Sequence, residues 1–375
     1  MLTFFAIRAT LELVTNLRCR PRFPGISAPD FVGPPESGLA SAKCSIPEHT
    51  MRTIVWALAM VVVVGFSRPG IGGRAATNQA SARGPSLRTP WGDPDLQGTW
   101  TSDGSIRVPF ERARSLGDRM FLTDEEFAVR EERTRRQSLA ISPAGPEDPE
   151  CAVNPPQHWL EQGRRTSRQT SLIVDPPDGR IPSKTAEAQR RSQPGPSSFN
   201  DGPFSGPEDF SLYDRCITRG LTGSILPHQY GNGTQIIQSR EYVAIRHEMI
   251  HETRLIPLER RPHVGEKIRM YMGDSRGHWE NGALVVETTN LTDKTNVTGG
   301  VRHGRNLRLT ERLTRVDDQT LQYEVTIDDP QIWVRTWRLS FPLIRESAYQ
   351  LFEYACHEGN RALPNILRGS RLEEP

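Results

Sequence analysis

The sequence lacks an excess of charge of either sign, a phosphate-binding loop, an internal repeat, and any apolar run long enough to cross a bilayer. Of its 375 residues, 47 are Lys or Arg and 45 are Asp or Glu, a formal net charge of +2. That balance gives no reason to expect nucleic acid as a partner. The Arg clusters (Arg133, Arg135 and Arg136; Arg164, Arg165 and Arg168) stand beside acids or in polar loops and read as solvated surface. No Gly-rich loop follows a strand, which argues against nucleotide binding. Ser275, between Asp274 and Arg276, lacks the G-x-S-x-G turn of a hydrolase nucleophile. Cysteine is scarce, at 5 residues. With 35% hydrophobic and 25% charged residues, the composition is that of a soluble globular protein and excludes a membrane-embedded one. What the chain has in quantity is turn formers, 30 Pro and 31 Gly. These are too many for a helical bundle and point to a loop-rich fold.

The longest apolar run, Thr53 to Phe66, follows the positively charged start Met51-Arg52. It is long enough for a signal-peptide core and shorter than the roughly 20 residues a spanning helix needs. Small residues follow it, and Ala80-Ser81-Ala82 supplies an A-x-A cleavage pattern. Residues 51–82 are therefore expected to be a signal peptide, with cleavage nearer Ala75 and an uncleaved anchor as alternatives. The mature protein is expected to be periplasmic or secreted, with no stable membrane insertion after cleavage. The Pro-rich residues 1–50 are expected to be a non-native upstream extension, translation starting at Met51. Cys151, Cys216 and Cys356 then remain for an oxidising compartment. Cys216 with Cys356 is the favoured disulfide, because Cys151 lies among Pro146, Pro149, Pro155 and Pro156. A bridge closing so long a loop would stabilise by about 3–5 kcal/mol.

Residues 83–232 read as a loop-rich region wrapped around a core. They open with a turn and a short strand ending at Trp100. One helix follows at about 123–139, with Thr123 as N-cap, Glu126 completing a capping box, and acids in its first turn. A strand at Ser171–Val174, a short helix near Thr185–Arg191 and a helical turn near Phe210–Thr218 are also expected. Residues 233–375 form the core, a succession of β segments: Glu241–Met249, Glu252–Leu258, Gly277–Glu280, Ala283–Asn290, Leu307–Arg315, Thr320–Ile327, Gln331–Leu343 and Tyr349–Glu358. Asn281-Gly282 is the strongest hairpin signal among them, and Asp317-Asp318 marks a second. The expectation is a mostly β fold, an antiparallel meander closing into a barrel and so removing its exposed edges.

Gly98-Thr99-Trp100 followed by a meander resembles the lipocalin-type barrel. The stretches Gly273–Glu280, Glu311–Arg315 and Glu353–Asn360 resemble a large family of exported bacterial proteins of unknown function. That second resemblance implies a secreted or periplasmic protein and brings no activity with it.

His247-Glu248-Met249-Ile250-His251 matches H-E-x-x-H, which on a helix turns two His toward one zinc and places the Glu on its bound water. The flanking sequence looks like strand. On a strand the two His stand roughly 13 Å apart, at about 3.3 Å per residue, and Glu248 points to the opposite face. The expectation is therefore no metal, with a zinc-dependent hydrolase using His247 and His251 as the alternative. Alternation along the strands places His247 and His251 on an apolar face, with Glu311, Arg335, Glu353 and His357 on others. Charges on such faces are costly unless paired. His251, Glu311, Arg335, Glu353 and His357 are thus expected to meet inside the barrel, walled by Tyr323, Trp333 and Trp337. That would make a pocket that binds or transforms a small organic molecule. In it His251 or His357 would be the acid/base group, Glu311 or Glu353 its orienting carboxylate, and Arg335 the anchor for an anion. Two readings compete with it: Glu311–Arg335 as a structural ion pair, and an envelope interaction protein with a filled core and no chemistry.

Overall fold

The computed structural model describes residues 87–140, 161, 166–190, 195–259, 261–298 and 300–373. The expected signal peptide, the upstream residues 1–50 and Cys151 lie outside the described residues. In chain order the strands are β1 (Gly98–Thr101), β2 (Ile173–Asp175), β3 (Gly233–Gln238), β4 (Tyr242–His247), β5 (Thr253–Pro257), β6 (Asp274–Glu280), β7 (Ala283–Thr289), β8 (Asn296–Thr298), β9 (Val301–Arg302), β10 (Arg308–Arg315), β11 (Thr320–Asp328) and β12 (Trp337–Arg345). The helices are α1 (Asp124–Ala140), α2 (Ala186–Arg190), α3 (Cys356–Gly359) and α4 (Ala362–Glu373). None among the described residues is long and apolar enough to cross a membrane.

The main sheet is an antiparallel meander of nine strands, in the order β5-β4-β3-β1-β12-β11-β10-β7-β6. Each barrel strand lies beside the next in sequence, and β12 returns to pair with β1 through Trp100 opposite Arg345. The barrel is therefore nearly closed, and its first strand comes from the region expected only to wrap it. The last strand expected, Tyr349–Glu358, does not form. Its place is taken by β1, and residues 346–355 run as irregular chain into α3. β2 lies beside β12, pairing Ile173 with Leu339.

Local chemistry explains the turns. Asn281 and Gly282 both take positive φ (51° and 80°), the two-residue geometry that matches strand twist, and Glu280 sits opposite Ala283. Thr123 caps α1 as its sequence predicts. Its hydroxyl accepts the Glu126 N–H at 3.3 Å while the Glu126 carboxylate accepts the Thr123 N–H at 2.9 Å. Gln331–Thr336, expected as strand, is instead a turn. Asp329 O accepts the Ile332 and Trp333 N–H groups, and Asp329 Oδ1 accepts that of Gln331 at 3.1 Å.

The interior is packed by alternate residues of the strands, among them Trp100, Ile245, Leu313, Tyr323, Val325, Trp337 and Phe341. Short turns close one end of the barrel, at 239–241, 281–282 and 316–319. Long connections cover the other end, and Leu221, Ile225, Leu226, Leu291 and Val297 from them join the core.

The seam between β5 and β6 carries no hydrogen-bonded ladder among the described residues. Side chains close it instead. A Cβ at Gly277 would stand 2.9 Å from both Ile256 Cγ2 and Leu258 Cδ2, so only glycine lets those methyl groups lie on the β6 backbone. Gly277→Ala is expected to cost about 1–3 kcal/mol, the range for overpacking, read as a lower urea midpoint. An unchanged midpoint would show that the seam yields freely.

Candidate functional site

Two polar clusters stand out, one inside the barrel and one at its long-loop end. The inner cluster begins with Arg254 on β5 and Glu311 on β10, brought face to face by the barrel's curvature. Arg254 Nη2 donates to Glu311 Oε1 at 2.9 Å, and Nη1 bonds the other carboxylate oxygen. Tyr323 donates its hydroxyl to Glu311 Oε1 at 2.9 Å. The side chains of Arg254 and Glu311 are 5% and 0% exposed. Burial works against the Arg254 charge, but the Glu311 carboxylate outweighs it and raises the guanidinium pKa. Burial, with Glu311 beside it, raises the Tyr323 phenol.

His247 is buried on the same inner surface, its Nδ1 3.1 Å from Thr234 Oγ1. Burial and the nearby Arg254 lower its pKa to about 3, so at neutral pH it is an uncharged imidazole. His251 does not share its face. β4 ends at His247, and Ile250 and His251 take positive φ (58° and 45°) in a tight turn, which breaks the alternation. His251 is exposed, with Nδ1 3.4 Å from Tyr354 O. Glu248 points elsewhere again, accepting the Tyr349 hydroxyl and the Phe352 N–H, while its buried Oε2 has no hydrogen-bond partner among the described residues. The helix on which a zinc reading of this motif depends is not built. Among the described residues no three His, Cys, Asp or Glu side chains are placed to hold a metal ion.

The other expected site residues separate in the same way. Tyr323, Trp333 and Trp337 are buried, and the two indoles pack edge to face at 5.3 Å. Arg335 precedes β12 and sits on the surface, donating to Asp175 at 2.9 Å. Glu353 and His357 are exposed, because residues 346–359 are not strand and do not alternate about a sheet. Glu311 therefore pairs with Arg254 and not with Arg335. Arg254 was within reach of the sequence, since it shares a face of β5 with the apolar Ile256.

The second cluster lies where residues 211–232, the 248–252 turn and residues 349–358 meet. Tyr213 and Tyr230 hydroxyls are 3.0 Å apart, and Tyr354 hydrogen-bonds to both. The Arg219 guanidinium lies 4.8 Å from the centroid of the Tyr213 ring. Among the described residues it has no hydrogen-bond acceptor and no carboxylate at ion-pair distance, although burial already lowers its pKa. Glu252 accepts from the Ser224 and Thr218 side chains and the Arg219 backbone, yet burial raises its pKa. His228 Nε2 donates to Gly223 O at 2.8 Å, and burial, with Arg219 nearby, lowers its pKa to about 4. Cys216 and Cys356 are joined as a disulfide with Cα atoms 5.8 Å apart, beside these groups. No periodic signal marks Tyr213, Arg219, Tyr230 or Glu252 in the sequence, because they sit on irregular chain.

On the outer wall, Met120, Phe121, Val174, Gln322, Glu324, Arg338 and Ser340 line an open groove of about 490 Å³. Its two charges, Arg338 and Glu324, approach to 4.0 Å.

No protein-family model, curated protein or solved structure matches the chain.

Proposed function

We propose that this is an exported binding protein that uses the barrel as a rigid scaffold and holds a small organic anion at its long-loop end. The observation that carries the reading is Arg219, a largely buried guanidinium stacked on Tyr213 with its N–H donors unspent on any acceptor among the described residues. A desolvated guanidinium recognises a carboxylate or phosphate in bidentate fashion. The hydroxyls of Tyr213, Tyr230 and Tyr354 add donors around it, and the rings offer an apolar wall. Arg219 thus takes the anion-anchoring part that the sequence alone assigns to Arg335. Export rests on the signal-peptide pattern of residues 51–82.

Native mass spectrometry of the protein from a periplasm, with benzoate and phenyl phosphate as probes, tests this. Arg219→Ala is expected to weaken probe binding by about 10- to 100-fold, the value of a charge-assisted hydrogen bond, and Arg335→Ala to leave it unchanged. Equal binding by Arg219→Ala and the parent would sink the reading. A second reading, an envelope interaction protein with no chemistry, is favoured by the packed barrel interior. It predicts that neither probe binds.

A further inference from the structure

We propose that the Cys216–Cys356 disulfide assembles this anion seat, so that ligand binding depends on the oxidised state of the pair. The inference rests on the binding reading just given and adds its regulation. The seat is built from two segments that share no strand ladder. Tyr213 and Arg219 flank Cys216 on one of them, and Tyr354 lies just before Cys356 on the other. The bond therefore ties together the two halves of the tyrosine cluster at its centre.

The two halves are held very differently. Cys216 is buried in a tight local turn at φ 57°, where Leu212 O accepts the Ile217 N–H at 2.8 Å. That turn and the apolar anchors Leu221 and Ile225 keep Arg219 in place without the disulfide. The second segment has no such anchor. From residue 344 to residue 369 no side chain is fully buried, and Phe352 is 66% exposed. Apart from the disulfide and the contacts of the Tyr354 hydroxyl with Tyr213 and Tyr230, this segment is tied near the seat by single polar contacts. Asn360 Nδ2 donates to Asp214 O at 2.8 Å, the Phe352 N–H and the Tyr349 hydroxyl meet Glu248, and His251 Nδ1 stands 3.4 Å from Tyr354 O. Each is a single hydrogen bond of modest net worth, whereas apolar burial, the usual means of holding a segment down, is only partial along it. A long-range cross-link is then the main restraint on Tyr354, closing a loop over a sequence separation of 140.

Reduction by a dithiol transfers two electrons and two protons to the bond. It yields the Cys216 and Cys356 thiols and leaves the reductant as its own disulfide. Tyr354 then leaves Tyr213 and Tyr230, water reaches Arg219, and the guanidinium loses the low-dielectric setting that makes it a strong anion donor.

Hydrogen exchange and benzoate titration, both run on the protein with and without dithiothreitol, test this. On reduction, amides of residues 349–358 are expected to exchange at least tenfold faster while those of β10 to β12 keep their protection. Benzoate affinity is expected to fall at least tenfold. Cys356→Ser should reproduce both effects without reductant, and the reduced parent serves if that variant fails to fold. Unchanged exchange in 349–358, or benzoate binding that survives reduction but still requires Arg219, overturns the redox proposal and leaves the seat standing. Oxidised protein whose benzoate binding ignores Arg219 overturns the seat itself, and the exchange data then judge the disulfide's role separately.

Discussion

Arg254→Ala is expected to destabilise the protein by about 3–5 kcal/mol, the range for breaking a buried ion pair from one side. The magnitude follows from what is left behind. The Glu311 carboxylate is fully enclosed and takes both of its strongest hydrogen bonds from the guanidinium. Without Arg254 it keeps, among the described residues, only the Tyr323 hydroxyl and must either hold an uncompensated charge or take up a proton. Glu311→Ala should cost as much, since it leaves a buried arginine without its carboxylate. Tyr323→Phe removes one hydrogen bond to a charged group and should cost about 1.5–3 kcal/mol. The double replacement Arg254→Met with Glu311→Leu is expected to recover most of the loss, because apolar residues of similar volume often replace a buried ion pair at little cost. The surface pair Arg335–Asp175, about half exposed, should change stability by less than about 1 kcal/mol when Arg335 becomes Ala. Urea midpoints for the series are the measurement. A loss under about 1 kcal/mol in both single variants would mean that water reaches the pair.

Stability is expected to fall steeply as the solution is acidified below about pH 6.5. His247 and His228 titrate at about 3 and about 4 in the fold, against an ordinary value of 6.5. Between those values the unfolded chain binds protons that the folded chain refuses, so stability rises with pH in this window and is lost on descending through it. Each group contributes on the order of a few kcal/mol, at 1.36 kcal/mol per pKa unit. Glu252 and Glu161 act in the opposite sense. Burial raises both carboxyls, so the stability they contribute is present below the unfolded value and lost as pH rises through the folded one. Their opposition softens the slope. His247→Gln keeps a polar partner for Thr234 and is expected to flatten the dependence, as read from urea midpoints at about pH 7 and about pH 5. Equal slopes in parent and variant would show that His247 is charged in the fold or reaches solvent.

Much of the barrel was legible in the chain, and the reasons are local. Asn281-Gly282 demands a two-residue turn, Thr123 and Glu126 cap a helix between them, and alternation along β10 and β11 puts Leu309, Glu311, Leu313, Tyr323 and Val325 on inner faces. The candidate site was legible only in part. Alternation has meaning only while a strand lasts, and four of the expected site residues lie beyond a strand's end. Ile250 and His251 are in left-handed backbone, Arg335 stands in the turn that Asp329 sets, and Glu353 and His357 follow the last strand. Each was carried inward by a period that does not hold at its position.

The sequence by itself determined the β class, the turns, the long helix and the inward course of Glu311 and Tyr323, because each depends on residues a few positions apart. The tertiary structure decided the rest. Arg254 and Glu311 are 57 residues apart, and only the curvature of the barrel makes them partners. The closing strand β1 and the glycine-lined seam follow from strand register. The tyrosine–arginine seat exists where two irregular segments meet, and irregular chain has no period to announce which of its side chains will touch.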